Sequence, residues 1–181
     1  ARGGHDEHER ECARVRAALA NAIAADGAAG GAGRGGRARR AALPEPAGEV
    51  ADYSMYRQRY LSLQHTMETA IAALRGRLRG ALAAGTPGMA RLAALDAVME
   101  RALGARERGL LAGVPALLET RFDRLRRAAA QDAGTEGDAA GDPPPGSWLA
   151  VFRKDMQRVL LAELDIRLQP VEGLLAALRA A

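Results

Sequence analysis

The chain has 181 residues, 26 bases against 22 acids, and a 48% apolar fraction that misleads, because 42 residues are alanine. Val, Ile and Thr together number 15 and aromatics make up 3%, too little β-branched and aromatic material for a substantial sheet. The lone Cys12 excludes a disulfide scaffold, and the richness in Ala, Leu and Arg (25 Arg, one lysine at Lys154) points to an all-α protein.

Residue 1 is Ala, and the polar opening has no signal-peptide pattern, so the chain reads as a fragment, with residues 1–26 expected to be part of a larger N-terminal region. Val15, Leu19 and Ile23 predict a helix over 7–25, within a short N-terminal segment of residues 1–26. Residues 27–52 are Gly, Ala, Arg and Pro with few apolar groups. Backbone entropy outweighs what they can bury, so a disordered linker is expected.

From Tyr53 the pattern changes. Tyr56, Tyr60, Leu63, Met67, Ile71, Leu74, Leu78 and Leu82 recur at about 3.7 residues per turn, the period of a nearly straight helix. Asp52 is placed to cap its start and Gly85 its end. Thr86-Pro87 reads as the N-cap and first position of a second helix, folded back antiparallel through a tight turn.

That second helix carries Leu92, Leu95, Met99, Leu103, Leu110, Val114, Leu117, Phe122 and Leu125. Pro115 interrupts it, yet the stripe keeps phase, which favours a kinked helix over two separate ones. Residues 132–147 read as a flexible acidic loop ending in Pro143-Pro144-Pro145-Gly146. Ser147 is a candidate N-cap for a last helix, with Trp148, Phe152, Met156, Leu160, Leu164, Leu168, Val171, Leu175 and Leu178 on one stripe. Pro170 is expected to bend it, and Glu163–Arg167 forms an i,i+4 pair.

Three amphipathic stripes predict an elongated antiparallel three-helix bundle over 53–181, with a short extra N-terminal helix and flexible linkers. The longest stretch without a charged residue is Gly80–Ala90, far short of the roughly 18 apolar residues a membrane span needs. A cytoplasmic location is the default. A thin, alanine-rich rod has a modest core, so a protein partner or homo-oligomer is expected.

The chemistry on offer is sparse. His5, His8 and nearby acids, with Cys12, form the one dense cluster of metal-ligand types, but a frayed polar start explains them better than a site needing three or four supported ligands. His65 and Glu68 reverse the order of a di-metal bundle motif, and no second copy exists. Asp96, Glu100, Glu107, Asp155, Glu163 and Asp165 all have arginine neighbours and are expected on solvated, mixed-charge faces. No nucleophile elbow or phosphate loop occurs. The expectation is no catalytic residue, no cofactor, no metal, and not an enzyme.

Two binding readings remain. Residues 53–131 carry 13 bases against six acids. Arg75, Arg77, Arg79, Arg121, Arg124, Arg126 and Arg127, with the single Gly33-Arg34-Gly35-Gly36-Arg37 run, make nucleic acid the alternative function. Tyr53, Tyr56, Tyr60, Trp148 and Phe152 sit near helix starts and would meet in an up-down-up bundle. An aromatic core layer is the main reading and a protein-binding hot spot its functional version, with Tyr56, Tyr60, Trp148, Phe152 and Arg167 as candidate interaction residues.

Tyr56-Arg57-Gln58-Arg59-Tyr60-Leu61, Arg91 to Glu100, Val114-Pro115-Ala116-Leu117-Leu118, Val151-Phe152-Arg153-Lys154-Asp155-Met156 and Arg167-Leu168-Gln169-Pro170-Val171-Glu172-Gly173-Leu174 are together similar to an uncharacterised proteobacterial family of unknown function. The similarity covers most of residues 53–178 and the helix around 11–24. The resemblance designates no catalytic residue. Through an association with genes for motor-stator-like and OmpA-like envelope proteins, it implies a cytoplasmic accessory subunit of an envelope complex. The three apolar stripes without a catalytic constellation point to a non-enzymatic helical scaffold or adaptor.

Overall fold

Two of the helices start where a short polar side chain precedes an apolar run. The computed structural model describes residues 2–28, 52–134 and 147–180, with side chains over 6–25, 52–131 and 148–180. Among them are five helices and no strand: α1 (Arg2–Ala28), α2 (Tyr53–Ala83), α3 (Pro87–Leu111), α4 (Val114–Gly134) and α5 (Ser147–Arg179). Asp52 caps α2, its carboxylate accepting from the Ser54 amide at 3.0 Å. The Thr86 hydroxyl accepts from the Met89 amide at 3.4 Å, and Pro87 occupies the first turn of α3, where its missing N–H is no loss. Between these caps the turn is tight: a Cβ at Gly85 would lie 2.7 Å from Met89 Sδ.

α2 and α5 form the central pair and run parallel. Tyr60 meets Glu163 and, two turns on, Glu68 meets Arg167. α3 and α4 return antiparallel to α2, as Arg79–Asp96 near the turn and Gln64–Leu111 far from it show. α4 packs on the N-terminal halves of the central pair. α1 packs antiparallel on their C-terminal halves, burying Leu19 and Ile23, and Glu9 pairs with Arg179 at 2.5 Å and Glu11 with Arg77 at 2.7 Å. α5 remains helical through Pro170.

The fold is all-α and bundle-like, with two differences from the expected three-rod form. First, the second long helix is two helices. The backbone turns at Ala112–Gly113, with the Gly113 amide donating to the Leu110 carbonyl at 3.3 Å. Pro115 has no N–H to give an uninterrupted helix. A break just before it moves that missing donor into the first turn of α4, where no partner is needed.

Second, the apolar stripe continues in phase but is not buried throughout. Leu118 and Phe122 of α4 are in the core, whereas Leu95, Met99 and Leu103 of α3 are 54%, 48% and 54% exposed, and Leu110 reaches 71%. Ala93 is the only residue of α3 classed as buried. α3 turns a face of small and acidic residues (Ala93, Asp96, Ala97, Glu100) toward α2, which rotates the larger side chains away from it. The linker expected at 27–52 and the loop expected at 132–147 lie mostly outside the described residues. At their edges, α1 runs on to Ala28 and α4 to Gly134.

Candidate docking groove

α3 is fastened to α2 by charge rather than by grease. Arg75 grips Asp96 in a two-pronged pair at 2.8 and 2.5 Å, with both side chains 12% exposed. Arg79 adds contacts of 3.1 Å to Asp96 and 2.5 Å to Glu100. A bidentate arginine–carboxylate pair sheltered from water is stronger and more directional than an exposed one. Burial pushes the Asp96 carboxyl up, but the hydrogen bonds and charge of Arg75 and Arg79 outweigh it and hold it below its ordinary value.

Because α3 leans on α2 and touches α5 only lightly, a groove of about 590 Å³ opens between the three helices. Its walls include Ile71 of α2, Leu95, Met99 and Leu103 of α3, and Pro170 and Leu174 of α5. Gly173 borders it with no atom within 4 Å of where a Cβ would stand. The groove is an apolar trough with a charged rim, the usual form of a site for another apolar surface.

A buried polar network closes one end. Glu163 is 3% exposed. It accepts from Tyr60 Oη at 2.6 Å, from Gln64 Nε2 at 3.0 Å and from Arg167 Nε at 2.8 Å. Arg167 also reaches Glu68 at 3.1 Å and Glu107 at 3.6 Å, so it links α5 to α2 and to the far end of α3. The two enclosed charges, Glu163 and Arg167, are paired with each other and each has a further polar partner, the condition for keeping ions out of water. Burial, then the bond to Glu163, raises the Tyr60 hydroxyl above its ordinary value.

At the other end of the molecule five rings interlock: Tyr53, Tyr56, Phe122, Trp148 and Phe152, with centroids 5.0–6.2 Å apart and mostly tilted or edge-on, the favourable geometry for aromatic pairs. Tyr53 donates to the Pro115 carbonyl, which ties the cluster to the break between α3 and α4. Its hydroxyl is pushed up to about 12 by burial, with Glu119 adding to it.

Of the five candidate interaction residues, Tyr56, Trp148 and Phe152 meet in this aromatic layer. Tyr60 and Arg167 meet instead in the Glu163 network. Tyr60, Phe152 and Arg167 are enclosed, so none of the three offers a surface to a partner in this conformation; Tyr56 and Trp148 are half-buried.

The acids do not lie on the solvated faces expected of them throughout. Glu163 is in the core, Asp96 is nearly so, and Asp155 is paired with Arg121 at 2.9 Å. Five of the seven arginines considered for phosphates are likewise engaged: Arg75 and Arg79 with α3, Arg77 with Glu11, Arg121 with Asp155, and Arg126 with Asp123. The Gly33–Arg37 run lies outside the described residues, as does the His5 side chain. Among the described residues no group of three or more His, Cys, Asp or Glu is placed to hold a metal ion. No helix among them is long and apolar enough to cross a membrane.

The residues that sequence reasoning missed are Gln64 and Leu174 as core members, Phe122 as a member of the aromatic layer, and Glu163–Arg167 as a buried pair. A signal did exist: 160, 163, 164, 167, 168, 171, 174, 175 and 178 trace one broad face, wider than a helix with a single neighbour needs.

Over residues 1–180 the chain matches the model of a family described as "Protein of unknown function (DUF3348)". The chain belongs to this family. The match includes α1 as well as the long helices. No curated protein and no solved structure matches the chain.

Proposed function

We propose that this member of the family is a non-enzymatic helical scaffold or adaptor that works in the cytoplasm and holds a protein partner along α3. The observation that carries this reading is the exposed seam of Leu92, Leu95, Met99, Leu103 and Leu110 beside an apolar groove. Contiguous apolar surface bordered by polar residues is costly to leave in water and marks interaction sites. The buried carboxylate of Glu163 is saturated by three donors from Tyr60, Gln64 and Arg167, so it is poorly suited to acid–base chemistry and well suited to fixing helix register. Accessory service to an envelope complex is a role of this kind, in which the groove receives a helix of a larger assembly.

Affinity capture with the full chain and with a Leu95→Asp/Leu103→Asp variant tests the reading. Both side chains stand in water, so the variant should melt as the parent does and should lose a partner that the parent retains. Capture of the same proteins by both, or turnover of a small molecule that a change elsewhere abolishes, would contradict it. The nucleic-acid alternative has less support, because most of its arginines are tied to carboxylates within the bundle.

A further inference from the structure

Resting on the adaptor reading, we infer that the α3 seam and its groove receive an amphipathic helix with acidic flanks from another protein. The argument is the distribution of charge around α3. All three of its carboxylates are already paired within the bundle: Asp96 with Arg75 and Arg79, Glu100 with Arg79, and the part-exposed Glu107 with Arg167. Its outward side keeps only cations.

Arg106 falls in register with the exposed stripe, following Leu92, Leu95, Met99 and Leu103 and preceding Leu110 in steps of three and four. Arg91 lies one turn from Leu95 on the same outer edge. Both are exposed, and neither has an ion pair among the described residues. Arg108, on the groove wall, has none either. An occupant must therefore be apolar along its centre and negative at its edges.

A second copy fits less well. A two-fold interface presents the same patch from both sides, and this patch has no carboxylate to spare for Arg91 or Arg106. The seam from Leu92 to Leu110 is about 27 Å long at 1.5 Å per residue, which calls for about five turns of partner helix.

Two labelled helical peptides of about 18 residues, with the same leucine stripe and either glutamate or lysine flanks, test this by fluorescence anisotropy against the full chain. The glutamate peptide should bind at least about tenfold more tightly at low salt, and the gap should narrow as salt rises. In Arg91→Glu/Arg106→Glu the preference should reverse. Gly173→Leu, which fills the groove where a Cβ meets no atom, should weaken both peptides without lowering the melting temperature.

Equal affinity for the two peptides, or no reversal, would overturn the acidic occupant while leaving the adaptor reading in place. A chain that binds neither peptide and sediments as a dimer, which Leu95→Asp dissociates, would make a second copy the occupant. Binding of neither peptide by a monomer overturns the inference, and the capture experiment then decides the adaptor reading separately.

Discussion

The aromatic end and the α3 side of this bundle are built from the same kind of stripe and reach opposite results. At the aromatic end α2, α4 and α5 enclose Phe122 and Phe152 almost completely. Along α3 the leucines stay in water, and arginine–carboxylate pairs do the fastening. An apolar period therefore shows that a helix has a greasy face. It does not show which neighbour covers it, and a helix whose opposite face is small and acidic can dock by that face instead.

The comparison is most sharply tested by truncation. Phe152→Ala should lower unfolding free energy by about 3–5 kcal/mol, whereas Leu103→Ala should change it by no more than about 0.5 kcal/mol; urea denaturation of both variants measures this. A similar loss for the two would mean that α3 is covered. At the junction of the regions, Arg167→Ala strands the Glu163 carboxylate in the core and should cost about 3–5 kcal/mol, while Arg167→Met/Glu163→Leu should recover much of it. No recovery would show that the network contributes more than balanced charge.

Smaller and more local effects come from pH. The depressed Asp96 carboxyl stabilises the α3 attachment above the ordinary carboxylate range, and that contribution is lost as pH falls through its folded value. The raised Tyr53 and Tyr60 hydroxyls act in the other direction: their contribution is intact below about pH 10 and is lost as pH rises toward about 12 for Tyr53. Acid should therefore loosen α3 first and alkali the aromatic end. Trp148 fluorescence, beside Phe122, should stay native as pH falls below the ordinary carboxylate range, while a dye on α3 reports release. Simultaneous loss of both signals in acid would contradict this order.

Much of this was legible in the chain. Asp52, Thr86 and Pro87 mark helix starts by hydrogen-bonding chemistry that acts over three residues, and the α2 and α5 stripes are long enough to fix phase. The proximity of Tyr53, Tyr56, Trp148 and Phe152 followed from helix order. The division at Ala112–Gly113 did not follow, because a kink and a break keep the same stripe in phase. The i,i+4 spacing of Glu163 and Arg167 marks them as a pair, but that spacing is the same in water or in a core. Burial was decided by α2, whose Tyr60, Gln64 and Glu68 arrive about 100 residues away in sequence. The open seam of α3 was hidden for a related reason: the rotation that exposes it depends on Arg75 and Arg79 of a different helix.

Thiol labelling tests the exposed seam most directly. In a Cys12→Ser background, Leu103→Cys, Leu110→Cys and Leu160→Cys are each reacted with a maleimide under native conditions. With α3 open, the thiol at 103 reacts at nearly the rate of the one at 110, while the one at 160, which is fully enclosed in the parent chain, is protected. Protection at 103 equal to that at 160 would mean that the seam is closed and that the groove is not a docking site.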